Sequence, residues 1–70
     1  TVAEAAQRDD AIRSALSALP ADRREIIVLR DYMELSYAEI ASVLDVAPGT
    51  VMSRLHRARM ELRKSLSRYE

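Results

Sequence analysis

Cysteine, phenylalanine and tryptophan are absent from this 70-residue sequence, and glycine occurs once, at position 49. Without cysteine there is neither a disulfide nor a thiolate metal site, which fits a reducing cytoplasm. A single glycine cannot form a glycine-rich phosphate-binding loop. No apolar run approaches the roughly 20 residues of a membrane span, and no signal-peptide pattern opens the chain. We therefore expect a cytoplasmic domain that does not enter a membrane.

Side chains with catalytic or metal-binding chemistry are also scarce. His56 is the only histidine, and no second metal ligand follows it at helical spacing. The acidic residues Asp9, Asp10, Asp31 and Glu34 are typical of a solvated surface rather than of paired catalytic carboxylates. We predict that the protein is not an enzyme and has no catalytic residues, no cofactor and no metal site.

The length predicts one domain over residues 1–70, near the size at which a single core is just sufficient. The chain does not begin with Met, so we expect it to be a piece of a longer protein. Apolar spacing predicts a first helix over about 3–18, which ends before Pro20. A second helix is predicted over 22–33, with Asp22 near its N-terminus and Ile26, Leu29, Arg30 and Met33 on one side.

The stretch 36–59 has the pattern of a helix-turn-helix. Ser36 and Glu39 have capping-box spacing and predict a helix over 37–44. Asp45 follows where the chain must turn and tolerates the left-handed conformation, while Pro48 suits the first turn of a helix over 48–67. The predicted fold class is therefore all-α, a compact four-helix domain with a C-terminal helix-turn-helix.

A regular apolar stripe marks the buried side of the last helix. Val51, Leu55, Ala58, Leu62 and Leu66 recur at steps of four or three residues. Together with apolar positions of the earlier helices they predict the core. Its predicted members are Leu16, Ile26, Leu29, Ile40, Leu44, Val51, Leu55 and Leu62.

Charge is distributed unevenly, although the formal net charge is zero. Residues 51–70 hold six basic and two acidic side chains, or +4, and residues 1–50 hold five arginines and nine acids, or −4. The basic residues of the last segment are Arg54, Arg57, Arg59, Arg63, Lys64 and Arg68. Phosphate binding needs local positive charge, so this helix is a candidate for contact with DNA. The alternative is a soluble helix with a basic exposed face.

The helical angle of about 100° per residue separates the exposed side of this helix from its apolar stripe. Gly49, Ser53, His56, Arg57 and Met60 point away from the stripe, flanked by Thr50, Met52 and Lys64. Arg57 could pair with guanine or with phosphate, and His56 could donate to a base edge or stack on a base. Arg59 and Arg63 either serve phosphates or coat the surface.

Arg54 projects near one edge of the stripe, where Glu39 of the preceding helix is also expected. We favour a structural ion pair between Glu39 and Arg54 over a base contact by Arg54.

The run LPADRREIIVLRDYMELSYAEIASVLDVAPGTVMSRLHRARMELRKSL resembles the fourth domain of bacterial sigma factors of the extracytoplasmic-function class. The resemblance covers about residues 12–66, and its SYAEIA and GTV-x-SRLHRAR patterns are more specific than a generic helix-turn-helix. It implies a domain that recognises the minus-35 promoter element of double-stranded DNA in the major groove and docks on the β-subunit flap of RNA polymerase. An anti-sigma factor is a further partner that it implies.

By this resemblance Ser53, His56 and Arg57 occupy base-facing positions, and Arg30, Tyr37 and Thr50 lie near the DNA backbone. Three positions depart from the family pattern. Glu34 and Asp45 replace common glycines, so we expect a less tight turn at Glu34. Met52 stands at a DNA-contact position where Lys or Arg is common, which removes a phosphate or base contact.

Two other functions fit part of the pattern. One is a protein-interaction module that binds the polymerase flap or an anti-sigma factor and has negligible DNA affinity alone. The other is a response-regulator output domain, which shares the GTV pattern but usually lacks SRLHRAR. Salt dependence of DNA binding distinguishes the first of these from a promoter-binding domain.

Overall fold

The computed structural model describes residues 1–67. Four α-helices follow one another in this part of the chain: α1 (Val2–Ala18), α2 (Ala21–Ile27), α3 (Tyr37–Leu44) and α4 (Pro48–Leu66). A π-helical turn, Val28–Tyr32, continues α2 without a break. No strand occurs among residues 1–67, and the predicted all-α class is confirmed.

Local sequence signals explain where the helices begin. Thr1 and Glu4 form a capping box at the start of α1, a signal that the sequence analysis did not use. The predicted capping box of α3 is present, with the Glu39 amide donating to Ser36 Oγ at 3.1 Å and the Ser36 amide donating to Glu39 Oε1 at 2.9 Å. Pro48 occupies the first turn of α4, where its missing N–H costs no hydrogen bond.

The turn between α3 and α4 is closed by Asp45 in the left-handed conformation, at φ 57° and ψ 50°. The Val46 amide then donates to the Ala41 carbonyl oxygen at 3.0 Å, the 6→1 bond of a Schellman motif. Val46 packs against the core directly after the turn. Asp45 therefore occupies the left-handed position that glycine occupies at the end of many helices.

The link between the π-helical turn and α3 is also tight, contrary to our expectation from Glu34. Glu34 adopts φ 58°, a left-handed conformation in which glycine is favoured. The Leu35 amide donates to the Leu29 carbonyl oxygen at 3.0 Å, a bond that spans one residue more than a Schellman bond because the preceding turn is π-helical. The turn is thus as tight as with glycine, and Glu34 has an unfavourable backbone conformation as a result.

The core lies where α4 packs against the other three helices. Its least exposed large side chains are Ile26, Ile27, Ile40, Val51 and Leu55. Of the predicted core, Leu44 and Leu62 are half-buried and pack against its edge. Ile27 is a core residue that was not predicted, and Met33 was predicted on the apolar side of its helix. Met33 is in fact exposed, since it follows the π-helical turn, where the α-helical angle no longer holds.

Candidate nucleic-acid interface

α4 presents two opposite faces because its buried positions follow the helical repeat. Val51, Leu55 and Ala58 are buried against α1, α2 and α3. Five exposed residues lie on the far side, namely Gly49, Ser53, His56, Arg57 and Met60. Each is accessible to a molecule that approaches α4 from outside the core.

The first turns of α4 offer little bulk and few hydrogen-bond donors. No atom lies within 4 Å of the point where a Cβ of Gly49 would stand, so this end of the helix is open. The Ser53 hydroxyl donates to the Gly49 carbonyl oxygen at 2.9 Å, and its proton is therefore engaged within the helix. Thr50 is half-buried, whereas the Met52 side chain is 57% exposed.

Arg54 and Arg57 lie farther along α4 and line a cleft of about 240 Å³ against α2. Asp22 and Glu25 of α2 line the same cleft, so carboxylates and guanidinium groups share one surface. Among residues 1–67, neither arginine has a carboxylate oxygen within 4.0 Å. Their N–H donors are therefore accessible. The nearby carboxylates of Asp22 and Glu25 reduce the positive electrostatic potential around them.

The predicted ion pair between Glu39 and Arg54 does not form. The Glu39 carboxylate accepts a hydrogen bond from the Ser36 amide at 2.9 Å. That bond, together with a side-chain hydrogen bond to Ser36, lowers the pKa of Glu39. Arg54 instead lines the cleft against α2. The prediction was wrong because local capping satisfies Glu39 and the helical angle directs Arg54 toward a different neighbour.

Two ion pairs that were not predicted link α4 to the second helical segment. Arg23 of α2 pairs with Glu61, and Asp31 of the π-helical turn pairs with Arg59. These partners are 38 and 28 residues apart, so local spacing contains no signal for them. Arg59 therefore has a structural partner, and its hydrogen bond to Asp31 raises the pKa of the Arg59 guanidinium.

Arg30 and Tyr37 lie together at the N-terminal end of α3. The Arg30 guanidinium stands 5.0 Å from the centroid of the Tyr37 ring and donates to the Leu35 carbonyl oxygen at 2.8 Å. This bond fixes the guanidinium beside the link that precedes α3. Arg30 keeps further N–H groups with which it can contact a phosphate, since a guanidinium has five donors.

The remaining candidates are dispersed along α4. His56, Arg63 and Lys64 are exposed, and Arg68 lies outside the described residues. In residues 1–67, no group of three or more His, Cys, Asp or Glu side chains is placed to hold a metal ion. None of the helices described is both long and apolar enough to cross a membrane.

Comparison with known proteins agrees with this geometry. The family described as sigma-70, region 4 matches residues 9–62. The chain belongs to this family. The resemblance to the fourth domain of extracytoplasmic-function sigma factors is thereby confirmed, and the response-regulator alternative is set aside.

Three similar proteins are named as RNA polymerase sigma factors. The chain is 45% identical over 58 residues to the ECF RNA polymerase sigma factor SigE of Mycolicibacterium smegmatis, covering 83% of this chain and 23% of the relative. It is 36% identical over 61 residues to RNA polymerase sigma factor YlaC of Bacillus subtilis, covering 87% and 35%. ECF RNA polymerase sigma factor SigW of the same species is 44% identical over 55 residues, covering 79% and 29%. The chain thus spans about a quarter to a third of the length of these relatives.

Proposed function

We propose that this sigma-70 region 4 domain binds the minus-35 promoter element, with α4 as the recognition helix in the major groove. The observation that carries the proposal is the exposed face of α4, where Ser53, His56 and Arg57 lie opposite the buried stripe. A helix of this kind fits the major groove, where base edges present distinct donors and acceptors. Arg57 supplies donors for guanine or phosphate at the middle of that face.

Phosphate contacts on both flanks would position the helix. The Arg30 guanidinium lies over the Tyr37 ring at the start of α3, and Thr50 lies in the first turn of α4. The N-terminus of α4 has no side-chain cap, and the positive end of its dipole favours an anion there. Backbone contacts of this kind set the register of the helix without carrying sequence information.

The names of the relatives lead us to propose RNA polymerase as the second partner, with the β flap as the docking site and an anti-sigma factor as an inhibitor. The exposed Tyr32 and Met33, after α2, offer an apolar surface for such contacts. On this proposal the domain acts in the cytoplasm as a non-enzymatic part of transcription initiation. The same surface favours the second candidate, an interaction module with negligible DNA affinity of its own.

A salt titration of DNA binding tests the proposal. The preferred duplex is first selected from a random pool with the domain fused to its polymerase-binding region. The affinity of the 70-residue chain for that duplex is then measured at several salt concentrations. The logarithm of affinity should fall linearly with the logarithm of salt, at a slope of about −0.9 per phosphate contacted.

Arg13→Ala is a suitable control because Arg13 is exposed on α1, outside the proposed interface. Its slope should match that of the parent, whereas Arg30→Ala should reduce the slope by about one. An affinity that is independent of salt and equal for a scrambled duplex, with polymerase binding intact, would identify the interaction module instead.

A further inference from the structure

Over residues 49–53 of α4, the exposed side chains bring no free polar hydrogen. Gly49 has no side chain, and the Ser53 hydroxyl proton is already donated to the Gly49 carbonyl oxygen at 2.9 Å. Between them stands Met52, 57% exposed and without a charge. This end of the helix is therefore suited to an apolar contact with a base rather than to a donor-based one.

The major groove contains one apolar feature that distinguishes a base, the C5-methyl group of thymine. A methionine thioether is flexible and polarizable, so it adapts to a methyl group better than a branched side chain does. Resting on the function proposed above, we propose that Met52 recognises a thymine methyl group in the DNA element bound by α4.

Helix geometry separates the base contacted by Met52 from any base bound by Arg57. Met52 and Arg57 are five residues apart, which is about 7.5 Å along the axis at 1.5 Å per residue. Base pairs are spaced by about 3.4 Å. Met52 and Arg57 are also about 140° apart around the helix at 100° per residue, so a thymine contacted by Met52 should belong to a different base pair from a guanine bound by Arg57.

Met60 provides a matched control for Met52. It is the same residue type, it is also 57% exposed, and it lies on the outer face of α4. It is eight residues farther along, about 12 Å from Met52 on the helix axis. Because the N-terminal residues of a recognition helix contact base edges, Met60 should remain outside the groove.

The test removes single methyl groups from DNA. Each thymine of the selected duplex, on either strand, is replaced in turn by deoxyuridine, which lacks the C5-methyl and keeps the hydrogen-bonding edge. For the parent chain, one such replacement should weaken binding by roughly three- to fivefold, the effect of burying one methyl-sized group. Met52→Ala should bind the thymine and uracil duplexes equally, and Met60→Ala should retain the parental ratio.

A second substitution gives an opposite signature. Met52→Lys should lose the methyl preference, strengthen binding to all duplexes alike and increase the salt slope by about one. The proposal is overturned if no thymine replacement affects the parent, or if Met52→Ala keeps the parental thymine-to-uracil ratio. Failure of the proposed function is a separate result, namely that the parent does not distinguish the selected duplex from a scrambled one.

Discussion

Asp31 and Arg59 form an ion pair that ties the middle of α4 to the end of the second helical segment. Arg23 and Glu61 form a second pair on the other flank of the same crossing. Both pairs lie beside the buried stripe of α4, and each joins α4 to the second helical segment. The rotation of α4 about its axis determines which side chains it would present to DNA in the proposed complex.

The coupling between Asp31 and Arg59 can be measured with a double-mutant cycle. The side chains are 39% and 44% exposed, so solvent screens the pair. We expect a coupling of about 0.2–1 kcal/mol in the free energy of unfolding. The cycle for Glu39 and Arg54 is the control and should give no coupling, because their side chains do not meet. Equal coupling in the two cycles would contradict the structure.

Glu34 is the position where a glycine should stabilise the protein. Its φ of 58° costs a non-glycine residue roughly 1–2 kcal/mol. Glycine relieves this strain, but it also adds conformational freedom to the unfolded chain, which offsets part of the gain. We therefore expect Glu34→Gly to raise the free energy of unfolding by about 1 kcal/mol. Asp45→Gly, at φ 57°, is the matched substitution and should gain less, because Asp tolerates this conformation. Denaturant midpoints that rank the two variants in the reverse order would refute this account.

The capping box at Ser36 predicts a pH dependence of stability. Hydrogen bonds from Ser36 lower the pKa of Glu39 below its usual 4.5 in the folded chain. The stabilisation is therefore complete above about pH 4.5 and is lost as pH falls through the lowered folded-state pKa. Glu39→Gln can keep the box but does not titrate. Melting temperatures of the parent should fall more steeply in acid than those of the variant, and parallel profiles would exclude the effect.

Leu55 is the largest of the buried side chains of α4. It is 2% exposed, and Leu55→Ala should cost about 2–5 kcal/mol. In a domain of this size that loss can abolish folding. Leu62→Ala, on the same stripe but half-buried, should cost clearly less. Urea unfolding measures both, and a larger loss at Leu62 would mean that the buried stripe is misassigned.

Sequence reasoning succeeded where a signal lies within a few neighbouring residues. Ser36 and Glu39 are three residues apart, and the turn at Asp45 depends on the conformation of one residue, so both could be predicted. The burial of Val51 and Leu55 followed from the helical repeat. These features require no knowledge of which helix crosses which.

Features that depend on the crossing of helices were missed or wrong. The pair between Asp31 and Arg59 joins residues 28 positions apart, and Arg54, expected to pair with Glu39, lines the cleft against α2 with no carboxylate partner among residues 1–67. The π-helical turn changed the register after Ile27, which left Met33 exposed. For the candidate site, the angle along α4 identified an exposed face but could not show that the Ser53 hydroxyl is already engaged.

Arg57 should determine base preference, whereas Arg63 should affect affinity alone. Arg57 is exposed opposite the buried stripe, and its guanidinium can present two donors to O6 and N7 of guanine. We expect Arg57→Ala to cost about 1–3 kcal/mol at the preferred site and to flatten preference at one base pair. Arg63→Ala, if that side chain touches phosphate, should weaken all duplexes alike and reduce the salt slope by about one.

The measurement is the affinity of each variant for the selected duplex and for its single-base variants, at several salt concentrations. Arg57→Lys is a useful further variant because it keeps the charge but cannot reproduce the paired donors. Compared with Arg57→Ala, this variant should regain the salt slope of the parent chain but not its base preference. If Arg57→Ala instead weakens every duplex equally, Arg57 binds phosphate, and specificity must come from Ser53, His56, Met52 or the shape of the DNA.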